Sequence, residues 1–185
     1  MVTNHIKLKI WLHMIYQPDH ADAECDPISV RSLTPDLMES LRIVLRGSWG
    51  SSCWCMHPRC TDAGIRALPG EGGGSKRRRA AMLKLAERPV APGLVAFEGE
   101  EPVGWIAIAP REELARVDAS RATPRVDDLL VWVIPCITVL EAVRGKGIAV
   151  ALIKAAVAYA GSRGALMVEA YPRAGDARAG DDNAY

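Results

Sequence analysis

The chain has 185 residues, of which 49% are hydrophobic and 24% are charged, and its formal net charge is +1. This length and composition fit one folded domain with a buried core. A net charge so close to zero excludes a global electrostatic attraction to nucleic acid or to anionic membranes, so neither is expected as a partner.

Residues 1–26 are predicted to be an N-terminal extension, disordered or carrying a small added helix, because their apolar residues follow no clear helical or strand period. The apolar stretch at 6–16 contains Lys7, Lys9 and His13, is too short to span a bilayer and lacks a small-residue cleavage site. The five cysteines are odd in number and form no disulfide pattern. Together these features indicate a reduced, cytoplasmic protein.

The first predicted elements of the domain are a strand and two helices. Residues 28–33 alternate in polarity like a strand, and a helix is expected from there to about residue 46. Residues 47–74 are expected to be mostly loop. A second helix is predicted at 76–88, and its buried face would consist of Met82, Leu85 and Ala86.

A β-hairpin is predicted next, with strands at 93–97 and 103–109 and a turn at 98–101. Glycine inside a strand marks either a bulge or a close approach by another backbone. Gly104 is therefore expected to have one of these two roles.

The C-terminal third reads as strand, helix and strand. Residues 129–139 form one long apolar run, and Pro135 predicts an irregularity near its middle because proline cannot donate to a ladder. A helix at 148–161 and a strand at 166–171 follow, which implies a parallel pair with a right-handed crossover. The predicted fold class is α/β, a central mixed sheet flanked by helices, with the domain at 27–172 and a polar tail at 173–185.

The turn at 144–149 is the best candidate for a chemical site. Its sequence is Arg-Gly-Lys-Gly-Ile-Ala, between a strand and a helix. Glycines allow the backbone to point several N–H groups one way, and the first turn of a helix adds unpaired N–H donors. This arrangement favours a phosphate or diphosphate, with a tight turn into a helix as the alternative. The turn has neither the NTPase phosphate-loop pattern nor the dinucleotide-binding pattern.

The motif Arg144-x-x-Gly147-x-Ala149 resembles the Arg/Gln-x-x-Gly-x-Gly/Ala signature of the GNAT N-acetyltransferases. The flanking strand and helix are similar to those of that family, and the resemblance extends over residues 28–171. Segments 53–56, 79–82, 102–105 and 109–113 resemble a bacterial subgroup marked by the sequence Cys-Trp-Cys-Met.

The resemblance implies direct transfer of an acetyl group from acetyl-CoA, a co-substrate, to a primary amine of a small molecule or peptide. Backbone donors at the acetyl carbonyl would each contribute about 3 kcal/mol to the transition state. The residues implied for the pantetheine arm and acetyl group are Ile137, Thr138 and Val139. Those implied for the diphosphate are Arg144, Gly145, Lys146, Gly147, Ile148 and Ala149.

The chain departs from the family after residue 171. A GNAT domain continues with a helix and two strands, whereas only 173–185 follow here, so the last helix and strands are expected to be missing or incomplete. In the family these elements form one wall of the acceptor site. That wall would then be absent or supplied by a partner subunit in a homodimer, and the strand at 166–171 would be an exposed edge. Tyr185 is a candidate general acid, with a frayed terminal side chain as the alternative. Glu169 is a candidate base, with a salt-bridged structural carboxylate as the alternative.

The segment 53–60 offers a second reading. Cys53, Cys55, His57 and Cys60 are possible zinc ligands, but one residue between the first two is shorter than the usual two to four, so no metal is expected. The competing functions are therefore an acetyltransferase, a catalytically inactive or truncated CoA-binding module, and a zinc-binding interaction protein.

Overall fold

The computed structural model describes residues 8–11, 28–47, 50–125 and 129–171. Within these ranges six strands form one mixed sheet in the order β1-β6-β5-β4-β3-β2. The strands are β1 (Leu8–Trp11), β2 (Ile28–Ser32), β3 (Gly93–Glu98), β4 (Glu101–Pro110), β5 (Val131–Val139) and β6 (Met167–Ala170). The α-helices are α1 (Met38–Leu45), α2 (Gly50–Cys53), α3 (Asp62–Arg66), α4 (Gly74–Ala86), α5 (Ala115–Asp118) and α6 (Ile148–Ser162). Short 3-10 turns lie at Pro35–Leu37, Arg111–Glu113 and Glu141–Val143.

The two faces of the sheet carry separate layers of core. Trp105 on β4 is fully buried and packs in a cluster with residues of α1 and α4, including Leu41 and Met82. Its neighbour Ile106 points to the opposite face, where it packs with Leu152 of α6. This alternation is the period of two that a strand imposes on its side chains. It confirms the predicted class, a mixed sheet flanked by helices.

The β3–β4 hairpin contains the irregularity predicted at Gly104. Ala96 pairs with Gly104 while Phe97 pairs with Pro102, so Val103 is an extra residue on β4. A Cβ placed on Gly104 would lie 2.9 Å from Leu152 Cδ1. Gly104 therefore adjoins a bulge, and it also allows a close approach, chiefly by side chains of α6, while the backbone carbonyl of Thr138 would lie 3.4 Å from an added Cβ.

A second irregularity confirms the one expected from Pro135. Ala107 pairs with Cys136 and Ala109 pairs with Val133, so two residues of β5 stand opposite one residue of β4. Such an insertion bends the strand that carries it. The bulge divides β5 into a first half up to Ile134 and a second half from Cys136.

The two halves of β5 differ in their neighbours. The first half pairs in parallel with β6, from Val131↔Met167 to Ile134↔Ala170. The second half pairs with β4 alone among the described strands. The predicted parallel pair is confirmed, and it ends where the bulge begins, which leaves an open edge along residues 136–139.

One expectation from the sequence is confirmed and another is corrected. The described residues of 47–74 are mostly loop, and the short helices α2 and α3 interrupt them. The strand at 166–171 is not an exposed edge, because β1 pairs with β6 antiparallel from Leu8↔Ala170 to Trp11↔Met167. Part of the predicted extension at 1–26 thus belongs to the sheet, and the domain limits stay a prediction. No helix in the described part of the chain is long and apolar enough to cross a membrane.

Candidate functional site

The turn between β5 and α6 has the backbone conformation that its glycines predict. Gly145 has φ +83° and Gly147 has φ +80°, both in the left-handed region that favours glycine. Apart from the chain neighbours, no atom of the residues that the structure describes would lie within 4 Å of a Cβ added at either position. Backbone conformation, and not crowding by the protein itself, therefore explains glycine at these two positions.

Several main-chain amides of this turn are available to a ligand. The first hydrogen bond into α6 runs from the Ala151 N–H to the Gly147 carbonyl, at 3.0 Å. The N–H groups of residues 148–150 consequently have no acceptor within the helix. Within the described ranges, no backbone carbonyl accepts from the N–H of residues 145–147 either. Free amides at the positive end of a helix dipole are suited to a phosphate or diphosphate.

A pocket of about 240 Å³ opens at this turn. It is lined by Val139, Val143, Arg144, Gly145, Gly147, Ile148 and Ala149. Six of the nine predicted cofactor residues are in this lining. Val143 was not predicted, and only its position just before the motif could have indicated it.

The two basic residues of the turn differ in their contacts. Lys146 Nζ lies 2.9 Å from Glu98 Oε1, so Lys146 forms an ion pair with the last residue of β3. Arg144 Nε donates to the Val139 carbonyl at 3.4 Å and remains exposed. Arg144 thus links the turn to the end of β5 by a hydrogen bond, and its guanidinium group is exposed at the pocket.

The open edge of β5 continues from the pocket. Ile137 is 41% exposed, whereas Thr138 is half-buried on the alternate face. Because β6 does not pair with residues 136–139, backbone groups on this edge are positioned to bind an extended ligand. The predicted residues Ile137, Thr138 and Val139 all lie on it.

Glu169 is held away from solvent in a buried polar cluster. It is 2% exposed, accepts a hydrogen bond from Arg111 Nη1 at 3.1 Å, and accepts another from the Tyr171 hydroxyl. Burial raises the pKa of Tyr171, with a further increase from the Glu169 carboxylate. Arg111 also donates to Asp118 and to the carbonyls of α5 and the following loop. These contacts favour the structural alternative for Glu169.

The other candidate acid, Tyr185, lies outside the described residues. The same applies to the segment 172–185, so the predicted incomplete C-terminus stays a prediction.

The four possible zinc ligands of segment 53–60 are not gathered around one point in the described ranges. No three His, Cys, Asp or Glu side chains in the described ranges are grouped to hold a metal ion. Cys53 Sγ instead accepts from the His57 N–H at 3.3 Å, and Cys55 Sγ accepts from Trp105 Nε1 at 3.1 Å. Cys60 is half-buried elsewhere in the loop, against the core that faces α1 and α4.

Trp54 and Cys55 have φ values of 50° and 51°, which is strained for residues other than glycine. Both are buried in the core cluster that faces α1 and α4, and Cys136 of β5 packs against the same cluster. Sequence reasoning did not connect Cys136 to this segment, because 81 residues separate it from Cys55 and no local pattern joins them.

Comparison with known proteins shows the family and the fold. The sequence model of the acetyltransferase (GNAT) family matches residues 65–179, well over half of the chain. No curated protein matches the sequence. Among solved structures, aminoglycoside N-acetyltransferase AAC(6')-Iy in complex with CoA is 16% identical, with a TM-score of 0.53 over 80% of this chain and 78% of that one.

Two further structures are similar in fold. A polyamine N-acetyltransferase from Drosophila melanogaster, which catalyses the formation of N-acetylagmatine, is 15% identical, with a TM-score of 0.52 over 77% of this chain and 75% of that one. A mutant agmatine N-acetyltransferase in its apo form is also 15% identical, with a TM-score of 0.53 over 78% and 75%. At these identities the likeness concerns the fold alone.

Proposed function

Because the chain belongs to the GNAT acetyltransferase family, we propose that it transfers an acetyl group from acetyl-CoA to a primary amine of a small molecule or peptide. The observation that carries this proposal is the set of unengaged amides at 145–150, at the N-terminus of α6 and beside the pocket. Main-chain N–H groups would bind the diphosphate of acetyl-CoA there, and Arg144 would add positive charge.

The open edge of β5 supports the same orientation of the cofactor. A pantetheine arm leaving the diphosphate would extend along residues 137–139 and take the hydrogen bonds that β6 does not make there. Much of the rate would come from holding thioester and amine together, and the amine must lose its proton before it attacks. The similar folds of an aminoglycoside acetyltransferase and a polyamine acetyltransferase support a small-molecule amine as acceptor, and a peptide amine is the alternative.

The diphosphate site is tested by replacing Gly147 with leucine. The side chain would project into space that the protein leaves empty and that the cofactor needs, so we expect acetyl-CoA affinity to fall at least tenfold in calorimetry. Gly164→Leu is the matched control, since Gly164 has φ +82°, also has no atom within 4 Å of an added Cβ, and follows the opposite end of α6.

Both variants incur a similar backbone strain of about 1–2 kcal/mol. The control should therefore lose stability and keep its affinity. Equal affinities in the wild type and in Gly147→Leu would contradict the proposed site.

A catalytically inactive CoA-binding module is the second candidate, favoured by the engagement of Glu169 in a buried ion pair. Measuring the release of free CoA thiol from acetyl-CoA in the presence of a panel of amines distinguishes the acetyltransferase from the inactive module. Turnover supports the enzyme, while binding of acetyl-CoA without turnover of any amine supports the module. The cytoplasmic location, the homodimer and the Cys-Trp-Cys-Met subgroup stay predictions.

A further inference from the structure

The turn at 144–149 lies beside the β3–β4 hairpin, which brings a carboxylate close to it. The Leu140 N–H, just after β5, donates to the Val103 carbonyl near the start of β4, at 3.0 Å. The connection between β3 and β4 is therefore at the same end of the sheet as the turn. Glu98, the last residue of β3, carries its carboxylate at this end.

Both oxygens of the Glu98 carboxylate contact the ammonium group of Lys146. Lys146 Nζ donates to Oε1 at 2.9 Å and to Oε2 at 3.1 Å. The two side chains are partly exposed, at 51% for Lys146 and 36% for Glu98. Ion pairs as exposed as this one contribute little to stability, so the pair can open at small cost.

The ion pair determines where the charge of Lys146 lies relative to the pocket. Among residues 143–149, all line the pocket except Lys146. Its main chain is in the turn with the free amides, whereas its ammonium group is held on the carboxylate of the hairpin. The cation nearest in sequence to both glycines of the turn is thus directed away from the space that they leave open.

A diphosphate in that space would compete with Glu98 for the same cation. A phosphate oxygen and a carboxylate oxygen both accept charge-assisted hydrogen bonds from an ammonium group. Lysine carries its charge on a flexible stem with rotatable donors, so Lys146 can change partners without a movement of the backbone. The Glu98 carboxylate also repels an anionic ligand nearby.

We propose that Glu98 limits the affinity of the site for the diphosphate of acetyl-CoA by competing with it for Lys146, a role that rests on the proposed function. In the free protein the ammonium group is paired with Glu98. When the diphosphate binds to the amides of the turn, the ammonium group moves to it and the carboxylate is released to solvent. Glu98 is a positioning residue, because it acts through Lys146.

The experiment measures acetyl-CoA affinity by calorimetry at low ionic strength in the full chain. Glu98→Gln removes the competing charge, so we expect binding to become about two- to fivefold tighter, the range that corresponds to the loss of an exposed ion pair. Raising the ionic strength should reduce this gain, since exposed charges are screened by salt. A purely structural role of Glu98 would not make binding tighter.

A double-mutant cycle with Lys146→Met tests whether the effect passes through the lysine. Lys146→Met should weaken binding, and most of the gain from Glu98→Gln should disappear in that background. Glu100→Gln is the matched control. It removes an acid of the same hairpin turn whose carboxylate pairs with Arg31, at 3.2 Å, and it should leave the affinity unchanged.

CoA and dephospho-CoA distinguish the diphosphate from the other phosphate of the cofactor, because dephospho-CoA keeps the diphosphate and lacks the 3′-phosphate. Glu98→Gln should produce the same gain with both. A gain with CoA alone would overturn the assignment to the diphosphate.

The outcomes separate this inference from the proposed function. If acetyl-CoA binds to the wild type, unchanged or weaker binding to Glu98→Gln overturns the inference alone. A gain that persists in full with Lys146→Met overturns it as well, because repulsion by the carboxylate would then be sufficient. Failure of acetyl-CoA to bind to both the wild type and Glu98→Gln contradicts the inference and the proposed function together.

Discussion

Individual residues near the site are fixed either by backbone conformation or by buried polar partners. Gly145 and Gly147 adopt left-handed φ values that a side chain would strain, and their local pattern made them visible in the sequence. For Glu169 the sequence indicated only a carboxylate on a strand. Its two partners, Arg111 and Tyr171, determine that it is buried and charge-paired.

Glu169→Gln tests whether that carboxylate is structural. Breaking the buried ion pair leaves the charge of Arg111 only partly compensated, so we expect a loss of about 3 kcal/mol in the free energy of unfolding. Asp118 remains as a partially exposed partner of Arg111 and limits the effect. Chemical denaturation measures the change.

The matched control is Glu39→Gln, which removes an exposed pair with Arg42 and should change stability little or not at all. If Glu169 is structural, the folded variant keeps the pH profile of the wild-type acetyl transfer. Loss of the acidic limb of that profile, which a base causes when it becomes protonated at low pH, would instead identify Glu169 as the base if stability is unchanged.

At the scale of elements, the position of α6 against the sheet determines where the free amides lie. Gly104 allows this contact, since an added Cβ would be 2.9 Å from Leu152 Cδ1 and 3.1 Å from Ile148 Cγ2. Ile148 is the first residue of α6, so a change at Gly104 is transmitted directly to the end of the helix that carries the site.

Gly104→Ala is therefore expected to reduce both stability and acetyl-CoA affinity. Overpacking of this kind costs about 1–3 kcal/mol, and displacement of the N-terminus of α6 should weaken binding several-fold. Denaturation and calorimetry measure the two effects.

Gly99→Ala serves as the control for that variant. Gly99 has φ +61° in the hairpin turn, and an added Cβ there meets no atom within 4 Å. It should lose some stability from strain and none of its affinity. Unchanged acetyl-CoA binding in Gly104→Ala would show that the contact between Gly104 and α6 contributes to core packing but does not position the amides at the N-terminus of α6.

At the scale of the whole molecule, the N-terminal strand closes one side of the sheet. β6 pairs with β5 on one side and with β1, over four residues, on the other. Without β1 this second edge of β6 would be unpaired. Exposed strand edges are templates for pairing with other chains.

Deletion of residues 1–11 should expose that edge of β6. We expect a lower melting temperature and concentration-dependent association, detected by light scattering coupled to size-exclusion chromatography. Deletion of residues 1–7 leaves β1 in place and should behave like the full chain. Equal stability and the same oligomeric state in both deletions would show that β1 does not contribute to the fold.

The sequence alone determined the order of the main strands and helices from residue 28 onward, the irregularity at Pro135, the special role of Gly104 as either a bulge or a close approach, and the glycine turn at 144–149. These features are local, because periodicity, proline and glycine act on the backbone within a few residues. The pairing of β1 with β6, the contacts of Arg111 with Glu169 and the hydrogen bond from Trp105 to Cys55 were decided only by the tertiary structure. Their partners are separated by tens of residues or more, and no local pattern specifies which distant side chain or strand a residue will meet when the chain folds.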